Sequence, residues 1–126
     1  MSDTQPAMAQ NSAIHSENEL EGLCLKGLED YKAKDLVSID VEGRSSIADH
    51  MLICSGTSTR HVAAIADHLA KRLSDMGFKG ISVSGEQSCE WVIVDAGGVM
   101  VHIMCPEARE RYRLEDLYRT LSQTEA

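Results

Sequence analysis

The stretch at positions 90–104, EWVIVDAGGVMVHIM, constrains this chain more than any other. Two runs rich in Val, Ile and Met flank Asp95-Ala96-Gly97-Gly98, and the glycines allow the positive φ angles that a tight hairpin needs. With Asp95 set opposite Gly98, Val94 faces Val99, Ile93 faces Met100, Val92 faces Val101 and Trp91 faces His102. Side chains alternate across a sheet, so the two faces of this hairpin differ. One carries Val92, Val94, Val99, Val101 and Ile103, an aliphatic surface that belongs under helices. The other carries Trp91, Ile93, Asp95, Met100, His102 and Met104, mixing an indole and thioethers with an acid and an imidazole. That second face is the candidate functional surface.

Elsewhere the spacing of apolar residues sets the elements. Leu20, Leu23, Cys24, Leu28 and Tyr31 form one stripe of a helix starting at Glu17, with Ser16 and Glu19 as a capping box. Its acidic outer face is either simply solvated or a binding face. Val37, Ile39 and Val41 alternate with polar residues over 36–41, a half-buried strand, and Glu42-Gly43-Arg44-Ser45 turns the chain. The nearly all-apolar run at 47–54 is a strand with a central place in the sheet. A helix follows to about Met76, striped by Val62, Ile65, Ala66, Leu69 and Leu73, with Gly77 as its terminator. Positions 79–84 give another strand, Pro106 opens a short helix, and a last amphipathic turn carries Tyr112, Leu114, Leu117, Tyr118 and Leu121. The expected order is α-β-β-α-β-β-β-α, a single small α/β domain whose mixed sheet is packed with helices. The 126 residues suit one domain, placed at 17–121, with 1–16 a disordered N-terminal tail and 122–126 a C-terminal tail.

Charge narrows the class of partner. The formal charge is −8, and nine acids against three bases fall at or before Glu42. Nucleic-acid binding is driven by neutralising phosphates with a basic surface, which this chain lacks; a basic protein partner fits better. Cys24, Cys54, Cys89 and Cys105 form no Cys-x-x-Cys pair, and the N-terminus has no secretory pattern, so a cytoplasmic, reducing location is expected. No apolar run of about 20 residues could cross a bilayer, so no membrane role is expected.

Several constellations carry candidate chemistry. The strand–Gly56-Thr57-Ser58–helix turn could hold an anion at a positive dipole end, although Ser and Thr there also serve as helix caps. Nucleotidyl transfer would need paired carboxylates for metal on the strand after that helix; the strand reads Ile81-Ser82-Val83-Ser84, so no catalytic residue, metal or cofactor is assigned. His61 and His68 are seven apart, too far for the i, i+4 bite of a zinc site, and are expected on a polar helix surface. Cys89, Asp95 and His102 include the types needed for a thiol relay, but the hairpin separates Asp95 from His102. A lone Trp is usually core. Here the opposite face is the purer hydrophobic surface, which points to a partly exposed Trp91, the residue type most enriched at interface hot spots.

The segments Asp40-Val41-Glu42-Gly43-Arg44-Ser45-Ser46-Ile47-Ala48-Asp49, Ile53-Cys54-Ser55-Gly56-Thr57-Ser58-Thr59-Arg60-His61-Val62, Trp91-Val92-Ile93-Val94-Asp95 and Val101-His102-Ile103-Met104 together resemble the ribosomal silencing factor (Iojap-like) family. The resemblance spans about 20–121. It implies a nucleotidyltransferase-like fold without an established catalytic role, and binding to the large ribosomal subunit through its protein number fourteen. It also implies steric obstruction of subunit joining when nutrients are short, and homodimers in the free state. Carried onto this sequence, the partner-binding surface includes Trp91, Asp95 and His102; the geometry of the hairpin adds Glu90, Ile93, Met100 and Met104. An assembly factor for the large subunit and a nucleotidyltransferase-type enzyme are the rival readings.

Overall fold

Alternation in the strands and striping in the helices produce a sheet covered on both sides in the computed structural model, which describes residues 17–123. The order is α1 (Glu17–Asp30), β1 (Lys34–Asp40), β2 (His50–Ser55), α2 (Thr59–Asp75), β3 (Ser82–Ser84), β4 (Trp91–Asp95), β5 (Val99–Met104), α3 (Pro106–Tyr112) and α4 (Leu114–Gln123). The strands lie in the order β1-β2-β5-β4-β3. Only β2 and β5 run parallel; the other neighbours are antiparallel. The expected α/β domain with a mixed sheet is present. It carries one helix more than the expected order, because Arg113 adopts a left-handed conformation (φ 52°, ψ 48°) that breaks the C-terminal helical stretch in two. The second piece runs on to Gln123, two residues past the expected end of the domain. Ser16 of the expected capping box, and the tail at 1–16, lie outside the described residues.

Every residue of β2 is buried, as a strand with neighbours on both edges and helices on both faces must be. Its Leu52 and Cys54 join the first core with the aliphatic hairpin face, Val92, Val94, Val99, Val101 and Ile103. Leu20, Cys24 and Leu28 of α1 and Val62, Ile65, Leu69 and Leu73 of α2 close that core from above. Met51 and Ile53 point the other way, into a second core with Ile39, Val41, Met104, Ala108 and Leu114. Trp91, Met100, Tyr118 and Leu121 pack along its margin. The two hairpin faces are therefore divided as their side chains dictate.

The turn into α2 is built for packing. Ser58 caps the helix, its hydroxyl accepting from the His61 backbone N–H at 3.1 Å. A Cβ on Gly56 would come within 2.8 Å of Val62 Cγ2 and 2.9 Å of Val62 N, so only glycine lets the end of β2 tuck beneath the first turn. The His61 ring accepts the Thr57 N–H at Nδ1 (2.9 Å) and reaches the Tyr31 carbonyl with Nε2 (2.9 Å). His68 stacks on the Tyr31 ring at 3.8 Å between centroids. His68 stands on the exposed surface of α2, as expected, while His61 is half-buried and ties the start of α2 to the chain just past α1; the Thr57 N–H, which an anion at this turn would need, is taken by His61.

The hairpin register differs from the expected one by one step along the chain. Trp91 stands opposite Met104, Ile93 opposite His102 and Asp95 opposite Met100, and Ala96 N–H bonds to the Val99 carbonyl at 2.9 Å. The two-residue loop is thus Gly97-Gly98, with Gly97 at φ 86°. The expected register put Ala96 in the loop. Positive φ at the first central residue is cheap only for glycine, and that decides the matter. Asp95 Oδ1 accepts from Gly97 N–H at 3.0 Å and braces the turn. Moving the loop one position shifts the pairing by two residues, so each side chain keeps its face.

Candidate functional site

Trp91 opens β4 on the side of the sheet roofed by α3 and α4, and it is half-buried. Its indole Nε1–H donates to His102 Nδ1 at 3.0 Å. Tyr112, at the end of α3, lies against the indole with ring centroids 4.8 Å apart and planes at 43°, an attractive tilted arrangement. Arg111 places its guanidinium carbon 5.7 Å from the Tyr112 ring centre. Tyr118 of α4 stands 6.1 Å from the His102 ring. The result is an aromatic cluster drawn from the hairpin and both C-terminal helices, in which Trp91 lies between exposed Tyr112 and buried His102.

The roof itself is anchored by Arg109. Its Nη1 donates to Ser55 Oγ at 3.1 Å and its Nε to Glu115 Oε2 at 3.2 Å, joining α3 to the end of β2 and to the start of α4. Both members of that ion pair are largely shielded, with side chains 10% and 23% exposed.

The seven expected surface residues separate into two depths. Glu90 is exposed, and Trp91, Ile93, Asp95 and Met100 are half-buried. His102 is 3% exposed and Met104 fully buried. The expectation of an uncovered face is therefore corrected at these two positions: α3 and α4 fold back over β5 and seal them. Burial pushes the His102 pKa down to about 4, so the imidazole is neutral at neutral pH. Because Nδ1 accepts from the indole, the proton sits on Nε2, which has no hydrogen-bond partner among the described residues.

Cys89, Asp95 and His102 form no relay. Asp95 braces the turn at the far end of the hairpin, His102 Nδ1 is taken by Trp91, and the Cys89 thiol donates to the Glu86 carbonyl at 3.2 Å. Among the described residues, no three His, Cys, Asp or Glu side chains gather as a metal ion would require.

Tyr112 and Tyr118 are the members of the cluster that sequence reasoning did not place here. Both stand in the amphipathic stripe of the last segment, but periodicity says that a stripe packs, not against which face. The acidic first helix also lies elsewhere than a simple charge argument suggests. α1 packs on the aliphatic side of the sheet, away from Trp91, and the rim near Trp91 mixes Glu90 with Arg111.

The chain matches the family model described as "Ribosomal silencing factor during starvation" over residues 14–126. A Haemophilus influenzae protein named ribosomal silencing factor RsfS is 44% identical over 94 residues, covering 75% of this chain and 92% of that protein. A mouse protein named mitochondrial assembly of ribosomal large subunit protein 1 is 34% identical over 94 residues, covering 72% of this chain but 41% of its own length. A crystal structure of a Chromobacterium violaceum protein superposes with a TM-score of 0.79 at 35% identity, covering 88% of this chain and 91% of the other. A Bacillus halodurans structure gives 0.72 at 35% identity, covering 80% and 94%. With the matched region containing the whole sheet, the hairpin and the aromatic cluster at its edge, this chain belongs to the ribosomal silencing factor family.

Proposed function

We infer that this protein is a non-enzymatic, cytoplasmic translation repressor that binds the large ribosomal subunit through its protein number fourteen and blocks joining of the small subunit by bulk. The observation that carries the reading is Trp91: a half-buried indole held between Tyr112 and His102 in an aromatic cluster, on the hairpin whose sequence carries the family resemblance. Half-buried Ile93 and Met100 extend the apolar centre, Tyr112 flanks it, and Glu90 and Asp95 supply acidic groups toward basic residues of the partner. His102 and Met104 lie beneath this surface. A tilted aromatic pair with adaptable thioether neighbours is the kind of desolvated anchor on which interfaces concentrate their energy. In the free state the protein forms homodimers.

Co-sedimentation with large subunits and a subunit-joining assay test the proposal. Saturating factor is expected to suppress formation of whole ribosomes, and Trp91→Ala to weaken large-subunit binding by about 10-fold or more while the fold survives. Unhindered joining at saturating factor would sink it. The name of the mouse relative favours a second reading, in which the protein assists maturation of the large subunit. Accumulation of immature large subunits in cells lacking the protein, with normal joining in vitro, would favour that reading instead.

A further inference from the structure

We propose that His102 is a positioning residue for Trp91: buried beneath the surface, it fixes the plane in which the indole is presented to the partner and does not itself touch that partner. The proposal rests on the reading of Trp91 as a partner contact. Five observations converge on it. His102 is 3% exposed, so its ring offers no surface. Its Nδ1 receives the indole N–H at 3.0 Å, a bond that requires a lone pair on Nδ1 and hence a neutral ring protonated on Nε2. Tyr112 lies against the indole 4.8 Å away, so the hydrogen bond fixes which edge of the indole points inward while Tyr112 limits its tilt. Ile93 stands directly across from His102 in the register, and Tyr118 lies 6.1 Å from the imidazole, so the imidazole is hemmed in from both sides.

The fifth observation is a cost. His102 Nε2 is buried without a hydrogen-bond partner among the described residues, and an unpaired buried donor is destabilising. An apolar side chain at this position would remove that penalty and fill the same space. Retaining an imidazole here makes physical sense if its acceptor is needed, and the group it serves is the indole. A side chain already held in its bound orientation gives up less freedom on association, worth roughly 2- to 10-fold in affinity for one aromatic anchor.

The test uses the full chain, whose sequence contains a single Trp, so every indole signal reports on Trp91. In the uniformly 15N-labelled protein at neutral pH, a 15N–15N coupling across the hydrogen bond from Trp91 Nε1 to His102 Nδ1 is expected, with the imidazole proton on Nε2. Absence of the coupling, or a proton on Nδ1, overturns the proposal. Two variants then read the consequence: His102→Leu removes the acceptor, and His102→Asn keeps one near the Nδ1 position. His102→Leu is expected to increase indole rotation in fluorescence anisotropy decay and to weaken large-subunit binding roughly 2- to 10-fold, with cooperative unfolding retained. His102→Asn is expected to restore most of both. If His102→Leu binds like wild type while Trp91→Ala does not, positioning is refuted and the role of Trp91 stands. If Trp91→Ala itself binds like wild type, the partner reading fails, and with it the proposal. If His102→Leu does not fold, the wild-type coupling decides: its presence supports the proposal and its absence refutes it.

Discussion

Burial lowers the His102 pKa from 6.5 to about 4, so the folded chain declines a proton that the unfolded chain accepts between those values. In that window the unfolded state binds more protons, and stability must fall as pH falls. His102 thus imposes no penalty above about pH 6.5 and a growing one toward pH 4, up to about 3 kcal/mol from this group alone. Urea unfolding at pH 7 and pH 4.5 measures it; if His102→Asn shows the same pH dependence, another group is responsible. The residue types of this site were legible in the sequence, since alternation alone assigned Trp91 and His102 to one face. The expected register even set the two opposite each other, whereas they stand diagonally; what was not legible is their hydrogen bond, because it depends on side-chain rotations that alternation does not specify. Asp95 illustrates the reverse case: an acid two residues before a glycine commonly bonds the backbone of its own turn, and Oδ1 of Asp95 does so.

Among the elements, α2 follows its sequence most faithfully, from the Ser58 cap to Gly77 at φ 100°. Its stripe, its cap and its terminator all point to the same boundaries. Gly56 before it leaves no room for a Cβ against Val62. Gly56→Ala is expected to destabilise the fold by about 2 kcal/mol, because a new methyl meets backbone as well as the Val62 side chain in a dense core. Thermal or urea unfolding checks this, and a variant as stable as wild type would show that β2 and α2 can separate freely. The C-terminal helices were less legible. A non-glycine residue in the left-handed region, such as Arg113, leaves no compositional signal. Nor could a stripe of apolar residues reveal that these helices roof the Trp side of the sheet, because that choice is made by the leftover surface of β1, β2 and β5.

For the molecule as a whole, the fold class was readable because each strand and helix keeps its own period over enough residues to be distinguished. Strand order was not, since periodicity carries no information on which strands become neighbours. The formal charge of −8 applies to the entire surface, with α1 on the side opposite Trp91. On the proposed reading, long-range attraction to a basic partner protein is expected to speed encounter, and the mixed rim near Trp91 to govern dissociation. Raising salt from about 50 to 500 mM is expected to lower the association rate with the isolated basic partner protein by about 10-fold and to leave dissociation nearly unchanged; stopped-flow measurements with labelled protein separate the two. The parallel pair has a further consequence. The β1–β2 hairpin and the β3–β4–β5 meander are each local in the chain, and the seam of β2 against β5, where Leu52 meets Val101, stitches them together across the whole of α2. Both cores draw on both halves, so in refolding from denaturant the slow step is expected at that seam, however fast each half forms by itself.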